Sequence, residues 1–242
     1  MKLTPNIYFT KVPPALDMSI RSELYYTNEF TFAVAVILSA QATDKKVNEV
    51  TPALFEIADT PEKMFALGID GLREHIKVIS FFNNKAKNII GSSKMLVSPS
   101  LRGSVAQRAT RGSSPQSAMP TAPLKKGGTG EWFFPTKYHN RDELLKLPGI
   151  GQKTANVIMN VLWGAPLIGV DTHVYRNAHR YGWVAESDNT PEKVEVKLLQ
   201  IIPKKYHGIV NHVMVLHGRY ICKALRPLCD QCPVAKYCPV RK

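Results

Sequence analysis

Leu147-Pro148-Gly149-Ile150-Gly151-Gln152-Lys153-Thr154 is the stretch on which the fold turns. A short amphipathic segment, Arg141 to Leu147, precedes it, and an apolar-periodic segment, Gln152 to Leu162, follows. The reading is a tight hairpin between two helices. Glycines on either side of Ile150 permit positive φ and close approach of the backbone, so the N–H groups that open the second helix can face a phosphate oxygen. Ile150 would turn inward and hold the turn. Gly-x-Gly alone also fits a plain helix C-cap followed by another helix, but Leu-Pro-Gly-x-Gly followed by Lys-Thr-Ala, in a chain of net charge +13, favours a grip on the DNA backbone.

Outward from the hairpin, apolar residues recur at three- and four-residue steps, and clean alternation never runs more than a few residues. The prediction is an all-α protein. Phe30 to Ala40 is apolar on every side and marks a buried central helix. Thr60-Pro61-Glu62-Lys63 and Thr190-Pro191-Glu192-Lys193 share one helix-start device: a Thr N-cap, Pro at the first helical position and an acid in the first turn. Further helices fit Asp44–Ala58, Asp70–Ile79, Asn84–Leu96, Asp171–Tyr181 and Tyr206–Tyr220. The first twenty residues, broken by Pro5, Pro13 and Pro14, offer no obvious amphipathic helix. From Ser98 to Gly130, 15 of 33 residues are Ser, Pro or Gly and none is acidic, which reads as a disordered basic insertion. A tolerated surface loop explains it better than a DNA tether, because long loops cost little.

The balance of 32 Lys+Arg against 19 Asp+Glu gives +13, and a polyanion is the natural partner. The longest apolar run, Phe32 to Leu38, is seven residues. That is too short to cross a bilayer, and the N-terminus lacks a secretory core, so an intracellular protein is expected.

All four cysteines lie within 17 residues, as Cys222-x6-Cys229-x2-Cys232-x5-Cys238. Such a cluster is a ligand set, since disulfides would need an oxidising compartment. Zinc modules usually bring two close pairs, and only Cys229 and Cys232 make one here. The spacing favours an iron–sulfur cluster, with zinc as the alternative.

Asp171, in Val170-Asp171-Thr172-His173, is an N-cap by default, worth about 1 kcal/mol. Together with Lys153 it also supplies a carboxylate and an amine, the pair needed to displace a base from a sugar and form a Schiff base. Lysine attacks only when neutral, so the site must desolvate it or place it beside positive charge such as its own helix N-terminus.

With these motifs in order, the chain resembles the endonuclease III family of DNA base-excision glycosylases, in the helix-hairpin-helix superfamily. The likeness runs through Leu38-Ser-Ala-Gln-Ala-Thr-Asp44, Asn83-Asn-Lys-Ala-Lys-Asn-Ile-Ile90, the hairpin, Val170–His173, His217-Gly-Arg-Tyr-Ile-Cys222 and the cysteine spacing. It implies a six-helix domain over residues 22–165, carrying the hairpin and the 98–130 insertion. A second domain of residues 1–21 plus 166–242 would hold a [4Fe-4S] cluster on the four cysteines. Lys153 matches the lysine that attacks C1′ of a flipped nucleotide, and Asp171 the aspartate that assists base departure and later proton transfers. The two would face one groove. Gln41 matches a residue that fills the hole left by the extruded base, and Phe81 stands where the family carries a leucine wedge. Gly149, Ile150, Gly151 and Thr154 would meet DNA at the hairpin, and Lys223 and Arg226 on the cluster loop. Adenine-removing relatives lack the lysine and usually carry a further C-terminal domain, so a bifunctional enzyme is implied: a glycosylase that removes oxidised pyrimidines, and a lyase that nicks abasic sites by β-elimination. The implied partner is double-stranded DNA with damaged bases or abasic sites, met by a monomer, most simply in a bacterial cytoplasm at the nucleoid.

Two other functions also fit parts of the sequence: a noncatalytic DNA-binding protein whose site the insertion disables, and a small electron carrier built on the cluster. His207, His212 and His217, spaced at five on a helix, read as DNA-facing or interdomain residues instead of a metal site. Trp132, Phe133 and Phe134 read as an apolar anchor after the insertion. Asp44 and Glu23 match family positions near the cleft, with helix capping an equal explanation for Asp44.

Overall fold

The computed structural model describes residues 2–15, 22–97 and 132–240; the 98–130 insertion lies outside them. Among the described residues there are ten α-helices and several short 3-10 turns, with no strand. None of these helices is long and apolar enough to cross a membrane. The chain divides into two compact units, Ser22–Trp163 and Met1–Arg21 with Gly164–Lys242.

In the first unit, α2 (Glu29–Ser39) is the centre, and every residue from Phe30 to Leu38 is buried. Asn28 starts it with a capping box: its side chain accepts from Thr31 N, while the Thr31 hydroxyl accepts from Asn28 N, both at 2.9 Å. Around α2 pack α3 (Asp44–Ile57), α5 (Phe82–Val97) and α7 (Gln152–Trp163), and α4 (Pro61–Ile76) lies along α5. Thr43, not Asp44, caps α3, its hydroxyl accepting from Lys46 N. The two helices expected around residue 70 are both present within α4, parted by a kink at Gly68, whose φ of +72° and ψ of 173° only glycine adopts without strain. Glu29 fastens the segment after the insertion, accepting from Phe134 N at 2.7 Å and from Trp163 Nε1 at 3.0 Å. Trp132 and Phe134 are buried beside it while Phe133 is exposed, so two of the three aromatics serve as the anchor.

In the second unit the N-terminus does form a helix. α1 (Pro5–Lys11) is started by Thr4 with Pro5 at its first position, so the proline that obscured it in the sequence is the one that begins it. Leu3, Tyr8, Phe9 and Val12 enter a core with residues of α8 (Thr172–Arg180), α9 (Pro191–Ile201) and α10 (Val210–Tyr220). Trp183 Nε1 donates to Leu3 O at 2.8 Å and closes the join. α10 begins at Val210, later than expected, because Lys204–Tyr206 form a separate 3-10 turn. His207 therefore lies off the helix; it is buried, with Nε2 bonded to Ile202 O at 2.8 Å, and His217 is fully buried. Neither faces DNA, because both are held by partners within their own unit.

Candidate functional site

The hairpin joins α6 (Arg141–Leu144) to α7. After α6 the chain turns through Leu147, whose carbonyl accepts from Ile150 N at 3.1 Å, and α7 opens with Ala155 N bonded to Gly151 O at 2.9 Å. Gly149 has φ of +84°, and a β-carbon there would lie 2.9 Å from Asn88 Cβ and 3.3 Å from Ile37 Cγ2. Both the dihedral and the space demand glycine. Nothing lies within 4 Å of a β-carbon on Gly151, so that face is open. The floor beneath is α5, where Ser92 Oγ donates to Pro148 O at 2.7 Å. Ile150 is buried, as the motif requires. Thr154 is largely buried too, and its main-chain N–H is what the helix end can present.

Lys153 is the second residue of α7, exposed, on a helix with no acid in its first turn. Of the two devices expected to favour a neutral amine, the helix N-terminus is present in its own unit and burial is not.

Two further loops of this unit meet at a residue that the sequence left without a role. Lys85 is buried on α5, and its Nζ donates to Leu38 O at 2.8 Å, at the end of α2. Burial lowers the pKa of this ammonium. Gln41 follows α2 and Phe81 precedes α5; both are exposed and both hold left-handed backbone, with φ of +54° and +60°. Lys85 thus ties together the two turns that display them. Its place in Asn83–Ile90 was legible, but its burial was not.

In the other unit Asp171 is the N-cap of α8. Its Oδ1 accepts from His173 N at 2.9 Å and Val174 N at 2.8 Å, and these bonds leave Oδ2 uncommitted. The far end of the same helix grips the cysteine loop. Arg176 donates to Gly218 O at 2.7 Å and Cys222 O at 3.1 Å, and Arg180 to Lys223 O at 2.6 Å and Ala224 O at 2.8 Å. Arg180 also reaches Cys222 Sγ at 3.4 Å. At Gly218 a β-carbon would lie 2.9 Å from His173 Cβ, which is why the His-Gly-Arg-Tyr motif needs glycine where α10 meets α8. Lys223 and Arg226 are exposed on the loop, and Arg226 has φ of +51°.

All four cysteines line one cavity of about 320 Å³, with Arg180, Tyr181 and His217 in its wall. Among the described residues, no three His, Cys, Asp or Glu side chains stand close enough to hold a single metal ion. Four cysteines lining one cavity of this size are a donor set that a polynuclear iron–sulfur cluster could take. Burial raises the thiol pKa of Cys232 and Cys238, a cost that ligation, which takes the thiolate, must offset. His217 lies against this wall; burial lowers its pKa to about 4.

Comparison with known proteins agrees with this geometry. Residues 34–204 match the model of the HhH-GPD superfamily base excision DNA repair protein, and residues 222–238, from the first cysteine to the last, that of the iron-sulfur binding domain of endonuclease III. The chain is 46% identical to endonuclease III of Rickettsia felis, over 91% of this chain and 87% of that protein. It is 35% identical to that of Escherichia coli K12, over 91% and 88%. The solved structure of a trapped endonuclease III–DNA covalent intermediate, an estranged-adenine complex, superposes with a TM-score of 0.74 at 35% identity, covering 98% of this chain and 96% of that one. A thermostable thymine-DNA glycosylase shares the fold, with a TM-score of 0.65 at 18% identity. The cofactor is a [4Fe-4S] cluster, as the resemblance implied, in keeping with a cysteine spacing that favoured iron–sulfur over zinc. Matched along most of its length by one superfamily and, at its cysteines, by one iron–sulfur module, the chain belongs to the endonuclease III family of HhH-GPD base excision DNA repair proteins.

Proposed function

We propose that this protein removes oxidised pyrimidines from double-stranded DNA and nicks the resulting abasic sites, acting as a monomer in the bacterial nucleoid. The observation that carries the reading is the placement of Lys153, exposed at the second position of the helix that the Leu-Pro-Gly-Ile-Gly hairpin opens.

C1′ is shielded in stacked duplex, so the nucleotide must be rotated out, with Gln41 and Phe81 occupying the space it leaves. Gly149, Ile150 and Gly151 hold the backbone, the open face above Gly151 giving a phosphate oxygen access to the main-chain N–H groups. The lone pair of Lys153 Nζ forms a bond to C1′ while the C1′–base bond breaks, its electron pair leaving with the base. The sugar ring opens to an imine, C2′ loses a proton, and the C3′–O bond breaks, releasing the 3′ strand. Asp171 carries the protons for these steps, its Oδ2 uncommitted to the helix cap. Residues 22–165 act as the hairpin domain and residues 1–21 with 166–242 as the cluster domain. Cys222, Cys229, Cys232 and Cys238 ligate the cluster, which when bound ties their loop into one piece. That loop presents Lys223 and Arg226 to phosphates.

The test is borohydride trapping of the holoprotein on abasic duplex, beside a nicking gel on thymine-glycol DNA. A covalent adduct and a nick are expected, both lost in Lys153→Ala. Salt-sensitive binding without adduct or nick, or undiminished trapping by Lys153→Ala, overturns the mechanism.

A further inference from the structure

His217 is completely buried, and each ring nitrogen has a partner. Nδ1 faces two phenols, Tyr8 OH at 3.0 Å and Tyr181 OH at 2.8 Å. Nε2 faces Cys232 Sγ at 3.5 Å. The phenols come from different places: Tyr8 from α1, and Tyr181 from the residue that ends α8. Both are buried, and their rings pack against the imidazole, with centroids 5.5 and 6.1 Å away.

The proton positions follow from donor and acceptor chemistry. A sulfur that ligates iron is a thiolate and cannot donate, so an Nε2 without a proton would set a lone pair against an anion in a dry core. A hydroxyl can donate to Nδ1, and two stand ready. The consistent arrangement is Nδ1 accepting from a tyrosine and Nε2–H pointing at sulfur. We infer that His217, held in its Nε2–H tautomer by Tyr8 and Tyr181, donates a hydrogen bond to the Cys232 thiolate and raises the reduction potential of the cluster. Arg180, 3.4 Å from Cys222 Sγ, gives a second sulfur of the same cavity a donor.

The physical basis is charge. Each sulfur gains negative charge when the cluster accepts an electron, so a donor aimed at sulfur stabilises the reduced state more than the oxidised one. His217 is a positioning residue here, acting through Cys232. The inference rests on the four cysteines being the ligands, which iron content and the visible absorbance of the holoprotein check separately.

The experiment uses holoprotein carrying ¹⁵N-labelled histidine, prepared in H₂O and in D₂O. Electron–nuclear double resonance on its paramagnetic one-electron state is expected to show coupling to one histidine nitrogen and to an exchangeable proton. Voltammetry of His217→Phe, with its cluster content confirmed, is expected to give a more negative potential than the parent. Absence of histidine coupling in the unaltered holoprotein overturns the inference, whether or not the variant folds. So does an unchanged potential in a cluster-loaded His217→Phe.

Discussion

Replacing Gly149 with alanine should cost stability, whereas the same change two residues later should cost only DNA affinity. At Gly149 two penalties coincide. An L-residue at φ of +84° carries about 1–2 kcal/mol of backbone strain. The new methyl would also stand 2.9 Å from Asn88 Cβ, an atom fixed by the backbone of α5 that no rotamer change can remove. Overpacking of that kind costs about 1–3 kcal/mol, so the sum is roughly 2–5 kcal/mol. For a chain of this size each kcal/mol moves the melting temperature by about 2–4 °C. Gly151 has neither problem: its φ is not positive and its β-carbon position is open. Gly151→Ala should therefore melt within a few degrees of the parent, about 0.4–1 kcal/mol in its favour at most, while its methyl obstructs the face where a phosphate approaches. Thermal melts of the holoprotein, with binding to an abasic duplex at fixed salt, give both readings. A Gly149→Ala protein as stable as its parent would refute the packing argument. A Gly151→Ala protein that binds DNA as tightly as the parent would refute the assignment of that open face to phosphate.

Asp171 allows its two roles to be separated. Asp171→Asn retains an oxygen that can cap α8, so it should melt near the parent yet lose base removal; Asp171→Ala should lose base removal and, in addition, about 0.5–2 kcal/mol of stability in the melt. Phe81→Gly relieves a left-handed residue of about 1–2 kcal/mol of strain against a glycine entropy cost of about 0.5–1 kcal/mol. Its stability should match or slightly exceed the parent's, while fluorescence of a 2-aminopurine placed at the lesion should show less extrusion; a destabilised Phe81→Gly with normal extrusion would contradict the wedge role.

How far the sequence could be read depended on whether a residue's role is local. Helix starts were legible because the cap is written within four residues: Thr60 and Thr190 each accept from the N–H three positions on, as their tetrapeptides required. The hairpin was legible for the same reason, its proline and two glycines lying within four residues, although the contacts of Asn88, Ile37 and Ser92 that hold it were not. Long-range partners were not. His217 lies 209 residues from Tyr8, its spacing from His207 and His212 suggested a DNA-facing or interdomain residue, and only the docking of α1 makes it a core residue facing sulfur. Lys85 is buried against expectation for a lysine, because the carbonyl of Leu38, 47 residues away, gives its ammonium a partner. Backbone strain was the least readable property of all. Among the described residues, the non-glycine positions with positive φ are Gln41, Phe81 and Arg226, none of them a residue type that favours that region. All three had been assigned to DNA by resemblance, on grounds that made no reference to dihedral angles. Strain of this kind, about 1–3 kcal/mol at each position, persists where the surrounding structure overrides it, and such positions cluster at functional sites. A fold selected for stability alone would put glycine or asparagine at these turns. A glutamine, a phenylalanine and an arginine, exposed and held in left-handed backbone, are explained if each side chain must reach a ligand outside the protein.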